Sequence, residues 1–306
     1  MKEKKIAILV PCYNESKTVA KVVKDFSRAL PQAKIYVYDN NSTDGTGEVA
    51  RRAGAIVRRE PRQGKGNVIR TMFREIEADC YLMVDGDNTY SANQAREMCD
   101  AILISGADMV IGDRLSSSYF KENKRPFHNT GNRLVSFLIN RIFGSHIKDA
   151  MSGYRAFSKR FVKVCPVLSR GFEVETEITI FALDNHFLVE ELSVDYKDRI
   201  EGYSKLRTMK DGLRVLGTII RMFEECKPRL FFSILAGFFA VLSCFLGVPV
   251  VIEYFRTGLV LRFPTLITAG FLMLVAILMA VCGIILGVIA KKQRELFEVF
   301  IKNEPK

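Results

Sequence analysis

Two stretches of this 306-residue chain carry no charged residue, Phe231 to Ile252 and Phe263 to Ala290. Each exceeds the roughly 20 residues a helix needs to cross a bilayer, where every backbone N–H and C=O must be satisfied within the protein. Side by side, they are expected to form a membrane hairpin with spans at about 231–252 and 266–290 and a short connection between them. Arg214, Arg221, Lys227 and Arg229 precede the pair and Lys291, Lys292 and Arg294 follow it, against Arg256 and Arg262 in the connection. Positive-inside bias then predicts a multi-pass protein of the cell membrane with its N-terminal domain and both termini in the cytoplasm, residues 291–306 forming a tail. Leu206, Met209, Leu213, Leu216 and Ile220 recur at helical spacing with Lys210, Arg214 and Arg221 interleaved, so 206–230 is read as a juxtamembrane region with a helix on the membrane surface. An ordinary amphipathic core helix would show the same spacing.

Residues 1–205 have a different texture. The apolar run Ile6 to Val10 near the N-terminus is too short for the core of a signal peptide, which also favours a cytosolic domain. Strand signals in "KIAILV", "KIYVYD", "AIVRR", "CYLMVD" and "DMVIGD" alternate with helical segments near 16–29, 44–53, 66–77 and 91–104. This βα alternation predicts an α/β domain with a mainly parallel, doubly wound sheet. Four strands end in polar or turn residues, "PCYNE", "DNNSTDGT", "DGDNTY" and "GDR", and in open α/β sheets such ends gather where ligands bind. Asp85 and Asp87 flank a glycine directly after the apolar run 81–84, and two acids at a strand tip could hold a divalent cation.

Lys+Arg 45 against Asp+Glu 34 leaves a net charge of +11, which suits anionic partners without choosing among nucleic acid, lipid headgroups and phosphorylated small molecules. Seven scattered cysteines without C-x-x-C spacing argue against zinc and a disulfide framework. His128, His146 and His186 stand alone and are read as structural.

With "PCYNE", "YDNNSTDGT", "GKGN" and "DGD" in this order, residues 5–205 resemble glycosyltransferase family two, whose catalytic domain has the GT-A fold. "KDAMSGYRAFSKR", "GFEVETEITI" and "YKDRIEGYSKL" are similar to the dolichyl-phosphate mannose synthases and bacterial polyprenyl-phosphate glycosyltransferases, a branch in which a C-terminal membrane hairpin is common. Processive relatives use a Q-x-x-R-W motif, and this chain has no tryptophan. Sugar nucleotidyltransferases open with a glycine-rich loop that "VPCYNES" does not provide.

The resemblance implies roles for particular residues. Pro11, Tyr13, Glu15, Val37 and Asp39 would hold the base and ribose of a nucleotide sugar, UDP-linked rather than GDP-linked. Asp85, Gly86 and Asp87 would meet its diphosphate through Mg²⁺ or Mn²⁺, with Thr89 where relatives often place a further ligand. Lys65, Arg114, Arg199 and Lys205 would contact donor phosphate, and Arg133, Ser204 and Lys205 the phosphate of a polyprenyl acceptor. Asp87 and Asp149 would be catalytic, Asp149 standing where inverting relatives keep the base. A phosphate acceptor has a second pKa of about 6 and is mostly ionised at neutral pH, so Asp149 is expected to orient the donor sugar or the cations around the acceptor. The implied reaction is inverting transfer of one sugar to polyprenyl phosphate, with no nucleic acid partner and room for a homo-oligomer. Alternatives are a hydroxyl lipid acceptor, which would need a true base, and a non-catalytic scaffold that senses nucleotide sugars.

Overall fold

The computed structural model describes residues 4–116, 126–197 and 208–303. The chain divides into two compact units, Met1–Ile219 and Ile220–Lys306. The first is built on seven strands, β1 (Ile6–Cys12), β2 (Lys34–Asp39), β3 (Ile56–Arg59), β4 (Cys80–Met83), β5 (Met109–Asp113), β6 (Arg155–Ser158) and β7 (Val189–Ser193). They form one sheet in the order β3-β2-β1-β4-β6-β5-β7. The connecting helices are α1 (Val19–Ala29), α2 (Thr46–Arg52), α3 (Lys65–Glu75), α4 (Ala95–Leu103), α5 (Pro126–Phe143), α6 (Lys159–Val164) and α7 (Val174–Asp184).

Hydrophobic patterning explains the layers. β1 and β4 are buried at every position, as expected for central strands covered on both faces. α1 buries Val19, Val22, Val23 and Phe26, an i, i+3, i+4, i+7 stripe that faces the sheet. β3, β2, β1 and β4 are parallel neighbours, so the chain winds outward from β1 in one direction and then returns to its other side at β4. The crevice at that reversal opens beyond Cys12 and Val84, where Val84 still donates to the Leu9 carbonyl at 3.0 Å.

One strand departs from the doubly wound plan. β6 pairs antiparallel with both β4 and β5, Arg155 lying opposite Met83 and Ile111. Because it runs backwards, the segment leading into it, 149–154, arrives at the same edge at which β4 and β5 end. "RAFS" is too short and too mixed to signal a strand on its own, yet this inserted strand carries Asp149 to the candidate site.

In the second unit, α8 (Thr208–Cys226) enters from the first, and α9 (Pro228–Thr257) and α10 (Phe263–Asn303) follow. Both α9 and α10 are long and apolar enough to cross a membrane, and only 11 % of the most apolar window of each is buried. Such exposure of Phe238, Phe245, Phe271 and Ile284 is the opposite of a soluble core helix and marks the pair as candidate spans. Small residues let the two helices approach: Ser243 Oγ donates to the Ala269 carbonyl at 2.7 Å, and a Cβ on Gly247 would lie 3.2 Å from that of Ala269. α9 ends at Gly258, whose φ of 68° is the left-handed cap conformation that glycine adopts without strain.

Candidate active site

Three loops interlace at the C-terminal ends of β1, β2 and β4. After β1, the Asn14 N–H donates to Ser42 Oγ at 2.9 Å and the Glu15 N–H to Thr46 Oγ1 at 2.8 Å, while Asn14 Oδ1 accepts the Thr43 N–H at 2.8 Å. Asp39 Oδ1 accepts the Ser42 N–H at 3.0 Å, closing the turn. Asp44 accepts N–H groups of Ser16 and Thr46; burial works against its charge, but these bonds and the Thr46 hydroxyl hold it down at about 2. The loop after β4 is drawn against the same assembly. Thr18 Oγ1 donates to the Gly86 carbonyl at 2.7 Å, and a Cβ on Gly86 would stand 2.5 Å from Cys12 Sγ, so only glycine fits. Asn14, Asn41 and Asn88 take up left-handed backbone at φ 52°, 63° and 60°, a conformation asparagine tolerates.

The loop before α3 is fixed by a residue outside the expected set. Asn40, 3 % exposed, donates to the carbonyls of Glu60 and Arg62 and accepts the Gly64 N–H at 2.7 Å. Backbone from Ser169 and Arg170 lies where a Cβ of Gly66 or Gly64 would be, and the Gly66 N–H donates to the Arg170 carbonyl at 3.1 Å. Lys65, the first residue of α3, is thereby aimed at the end of β4. Its Nζ lies 2.5 Å from Asp85 Oδ1 and 2.6 Å from Glu175 Oε1. Burial alone would lower the Lys65 pKa, but the two carboxylates outweigh it and hold the ammonium charged. Glu175, at the start of α7, was not among the expected residues; it is one of three glutamates alternating along "FEVETEITIF", and nothing in that pattern singles it out.

Asp87 is 7 % exposed, and its Oδ1 accepts both the Thr89 N–H at 3.2 Å and the Thr89 hydroxyl at 2.7 Å. The Thr89 hydroxyl is thus turned onto Asp87 and sets the angle of that carboxylate. Asp85 and Asp87 offer hard carboxylate oxygens of the kind Mg²⁺ and Mn²⁺ prefer, and Asp85 already holds a positive charge in the form of Lys65. A divalent cation fits this donor set.

A second node lies beyond β5. Asp149 is fully buried and accepts a forked pair of bonds from Arg114, Nε to Oδ2 at 2.6 Å and Nη2 to Oδ1 at 2.8 Å, with Asn132 Nδ2 at 2.9 Å. Burial pushes the Asp149 carboxyl up, but the guanidinium and these hydrogen bonds prevail and leave it below the usual carboxylate range. Arg114 lies over the Tyr196 ring, 5.5 Å from its centroid, and Tyr196 packs edge-on against Tyr90 at 5.2 Å. The Tyr90 hydroxyl accepts the Gly153 N–H at 3.0 Å, and a Cβ on Gly153 would collide with Asp85 Oδ2. Gly153 and Tyr90 therefore couple the two nodes.

Arg155 underlies this coupling. Fully buried, it donates to the carbonyls of Ser152 at 2.8 Å and Ala150 at 2.7 Å and to Thr179 Oγ1 at 2.8 Å; burial lowers its pKa to about 10. Arg155→Met withdraws the charged donor from these buried acceptors, and a destabilisation of about 3 kcal/mol is expected, read as a fall in Tm of the purified chain.

The structure thus gathers Lys65, Asp85, Gly86 and Asp87 at one node and Arg114 and Asp149 at another. Tyr13 follows β1 and is 40 % exposed, Pro11 lies next to the end of β1 opposite Tyr38, Asp39 ends β2, and Glu15 sits in the interlaced loops. The Val37 side chain is fully buried in the hydrophobic core. Arg133 is exposed on α5, one residue beyond Asn132. Arg199, Ser204 and Lys205 lie outside the described residues.

Sheet order, acidic strand tip and flanking cations define a glycosyltransferase of GT-A type. Residues 7–165 match the model of Glycosyl transferase family 2, and the chain belongs to that family. It is 33 % identical over 251 residues to glycosyltransferase AglJ of Haloferax volcanii, covering 81 % of each chain. Polyprenol monophosphomannose synthase of Mycolicibacterium smegmatis is 26 % identical over 216 residues, 65 % of this chain and 80 % of the relative. Among solved structures, glucosyl-3-phosphoglycerate synthase of M. tuberculosis superposes with a TM-score of 0.59 at 18 % identity, over 72 % of this chain and 80 % of that one. That enzyme has also been solved with Mn²⁺, UDP-glucose and phosphoglyceric acid.

Proposed function

We infer that this glycosyltransferase moves a single sugar, with inversion, from a UDP-linked donor to the phosphate of a polyprenyl lipid at the cytoplasmic face of the membrane. The observation that carries the reading is the Asp85-Gly86-Asp87 loop at the sheet's switch point, flanked by the ammonium of Lys65 and the guanidinium of Arg114. Relatives named for polyprenol and dolichol phosphate support the acceptor class, and the UDP complexes of the solved neighbour support the donor.

Transfer forms a bond between an acceptor phosphate oxygen and the anomeric carbon while the bond from that carbon to the donor diphosphate breaks. Asp85 and Asp87 would hold a Mg²⁺ or Mn²⁺, which when bound would supply Lewis-acid neutralisation of the departing diphosphate. Thr89 keeps the Asp87 carboxylate in one orientation, and Lys65 brings a fixed positive charge to the same side. Arg114, pinned by Asp149 and stacked on Tyr196, is a preorganised cation for phosphate. Asp149 acts as its positioning residue.

The state of Asp149 favours a phosphate acceptor over a hydroxyl one. A hydroxyl nucleophile needs a base, and a buried carboxylate held below its usual range by Arg114 and Asn132 is poorly suited to take a proton. A phosphate oxygen is already ionised near neutral pH. The two candidate spans would hold the domain at the surface where such an acceptor resides, raising its effective concentration.

The test is incubation of the purified full chain with labelled nucleotide sugars, a divalent ion and either polyprenyl phosphate or polyprenol. Label should enter lipid only with the phosphate and a UDP-sugar. Equal labelling of polyprenol would sink the phosphate-acceptor reading.

A further inference from the structure

Lys65 lies between two carboxylates, and the pair is uneven. Asp85 is 27 % exposed at its side chain, whereas Glu175 is 5 % exposed and belongs to α7. Glu175 Oε1 takes the ammonium at 2.6 Å, but its other oxygen, Oε2, is buried and has no hydrogen-bond partner among the described residues. A buried carboxylate oxygen left without a donor is costly and is uncommon in folded proteins. An ammonium has three donors, enough to serve both oxygens of one carboxylate.

We propose that Lys65 is an exchangeable placeholder at the cation site. Its ammonium occupies Asp85 in the ion-free protein, and Glu175 is the positioning residue that receives it when a divalent ion takes Asp85. The proposal rests on the reading of Asp85 and Asp87 as the ion's ligands. In the ion-free state Lys65 neutralises carboxylates that would otherwise repel each other at close range. On arrival of a dication the ammonium and the ion cannot share Asp85 Oδ1. The Gly153 backbone closes one side, since a Cβ there would lie 3.1 Å from Lys65 Nζ and collide with Asp85 Oδ2. Among the described residues, Glu175 Oε2 is a buried acceptor without a donor, on the carboxylate that already holds Lys65, and the move would satisfy it. Held there, Lys65 stays beside the donor diphosphate instead of returning to Asp85, so one lysine serves first as counter-ion and then as phosphate ligand.

This arrangement gives opposite signs to two substitutions, which a purely structural salt bridge would not. Removing the ammonium removes the ion's competitor. Removing the charge of Glu175 alone strands the ammonium on Asp85 and strengthens the competition. The measurement is binding of Mn²⁺ alone, without donor, to the purified full chain in detergent, followed by the electron paramagnetic resonance signal of free Mn²⁺. Because Lys65→Met would leave Glu175 buried and uncompensated, the informative variant is Lys65→Met with Glu175→Gln, which keeps the site neutral there. Glu175→Gln alone should bind Mn²⁺ roughly tenfold more weakly than the wild type, as expected for one unit charge a few ångströms away in a partly solvated site, and the double variant, which loses one charge of each sign and with them the competitor on Asp85, should bind more tightly than the wild type. A double variant that binds no more tightly than the wild type overturns the proposal, as does a Glu175→Gln variant that binds as well or better. Asp85→Ala is the control that separates the two readings: its binding should be lost. If Mn²⁺ still binds Asp85→Ala like the wild type, the ion-site reading fails and the placeholder with it; if binding is lost but the signs above are not seen, only the placeholder fails.

Discussion

Asp87→Ala is expected to lower kcat for glycolipid formation by roughly a thousandfold, the largest effect of any single substitution at the site. Electrostatic groups aimed at charge that develops in the transition state are commonly worth about a hundred- to a thousandfold each, and a metal ligand acts on the group whose charge changes most. Asp87 is 7 % exposed, so its remaining neighbours have little water to replace it. The alanine variant also removes the acceptor of the Thr89 N–H and hydroxyl, which raises the question of local collapse. Asp87→Asn answers it. The amide oxygen can still accept from Thr89, so the loop is preserved while the anionic ligand is lost. Both variants should fail to label polyprenyl phosphate at saturating donor, with the Asn variant retaining the wild-type Tm. Labelling at the wild-type rate by either would remove the acidic pair from the reaction.

The elements that were legible in the sequence are those whose signal is local. Five of the strands appear as apolar runs, four of them with polar tips, and the α1 stripe fixes a helix by its period, so the mainly parallel GT-A sheet follows from pattern and resemblance together. β6 was not legible, because the four residues "RAFS" pair with β4 and β5 only once both neighbours exist. The same distinction runs through the site. Asp85 and Asp87 announce themselves by position after a strand, whereas Asn40, Asn132, Arg155 and Glu175 matter through partners distant in the sequence, as in Asn132 with Asp149, Arg155 with Thr179 and Lys65 with Glu175. A charge among apolar residues, as in "GYRAF", is the sequence trace that Arg155 leaves.

Asp149→Asn separates stabilisation from proton transfer. Arg114 is almost wholly enclosed, with a side chain 13 % exposed, and loses its forked anionic partner in this variant. Leaving a buried cation uncompensated typically costs about 3–5 kcal/mol, so the variant should melt well below the wild type at neutral pH. The pH dependence has a definite sign. The folded pKa of Asp149 lies below its unfolded value, so the pair contributes stability at pH above the ordinary carboxylate range and loses it as pH falls through the folded value. The gap in Tm between wild type and Asn variant should therefore be full near pH 7 and shrink as the medium is acidified below pH of about 4. Activity should follow a different course. If the acceptor phosphate is its own nucleophile, the ascending limb of kcat/KM near pH of about 6 reports that phosphate and should persist at the same pH in the Asn variant, lowered in height as Arg114 loses its orientation. A base at position 149 predicts instead that this limb disappears with the carboxylate, and that outcome would overturn the positioning role.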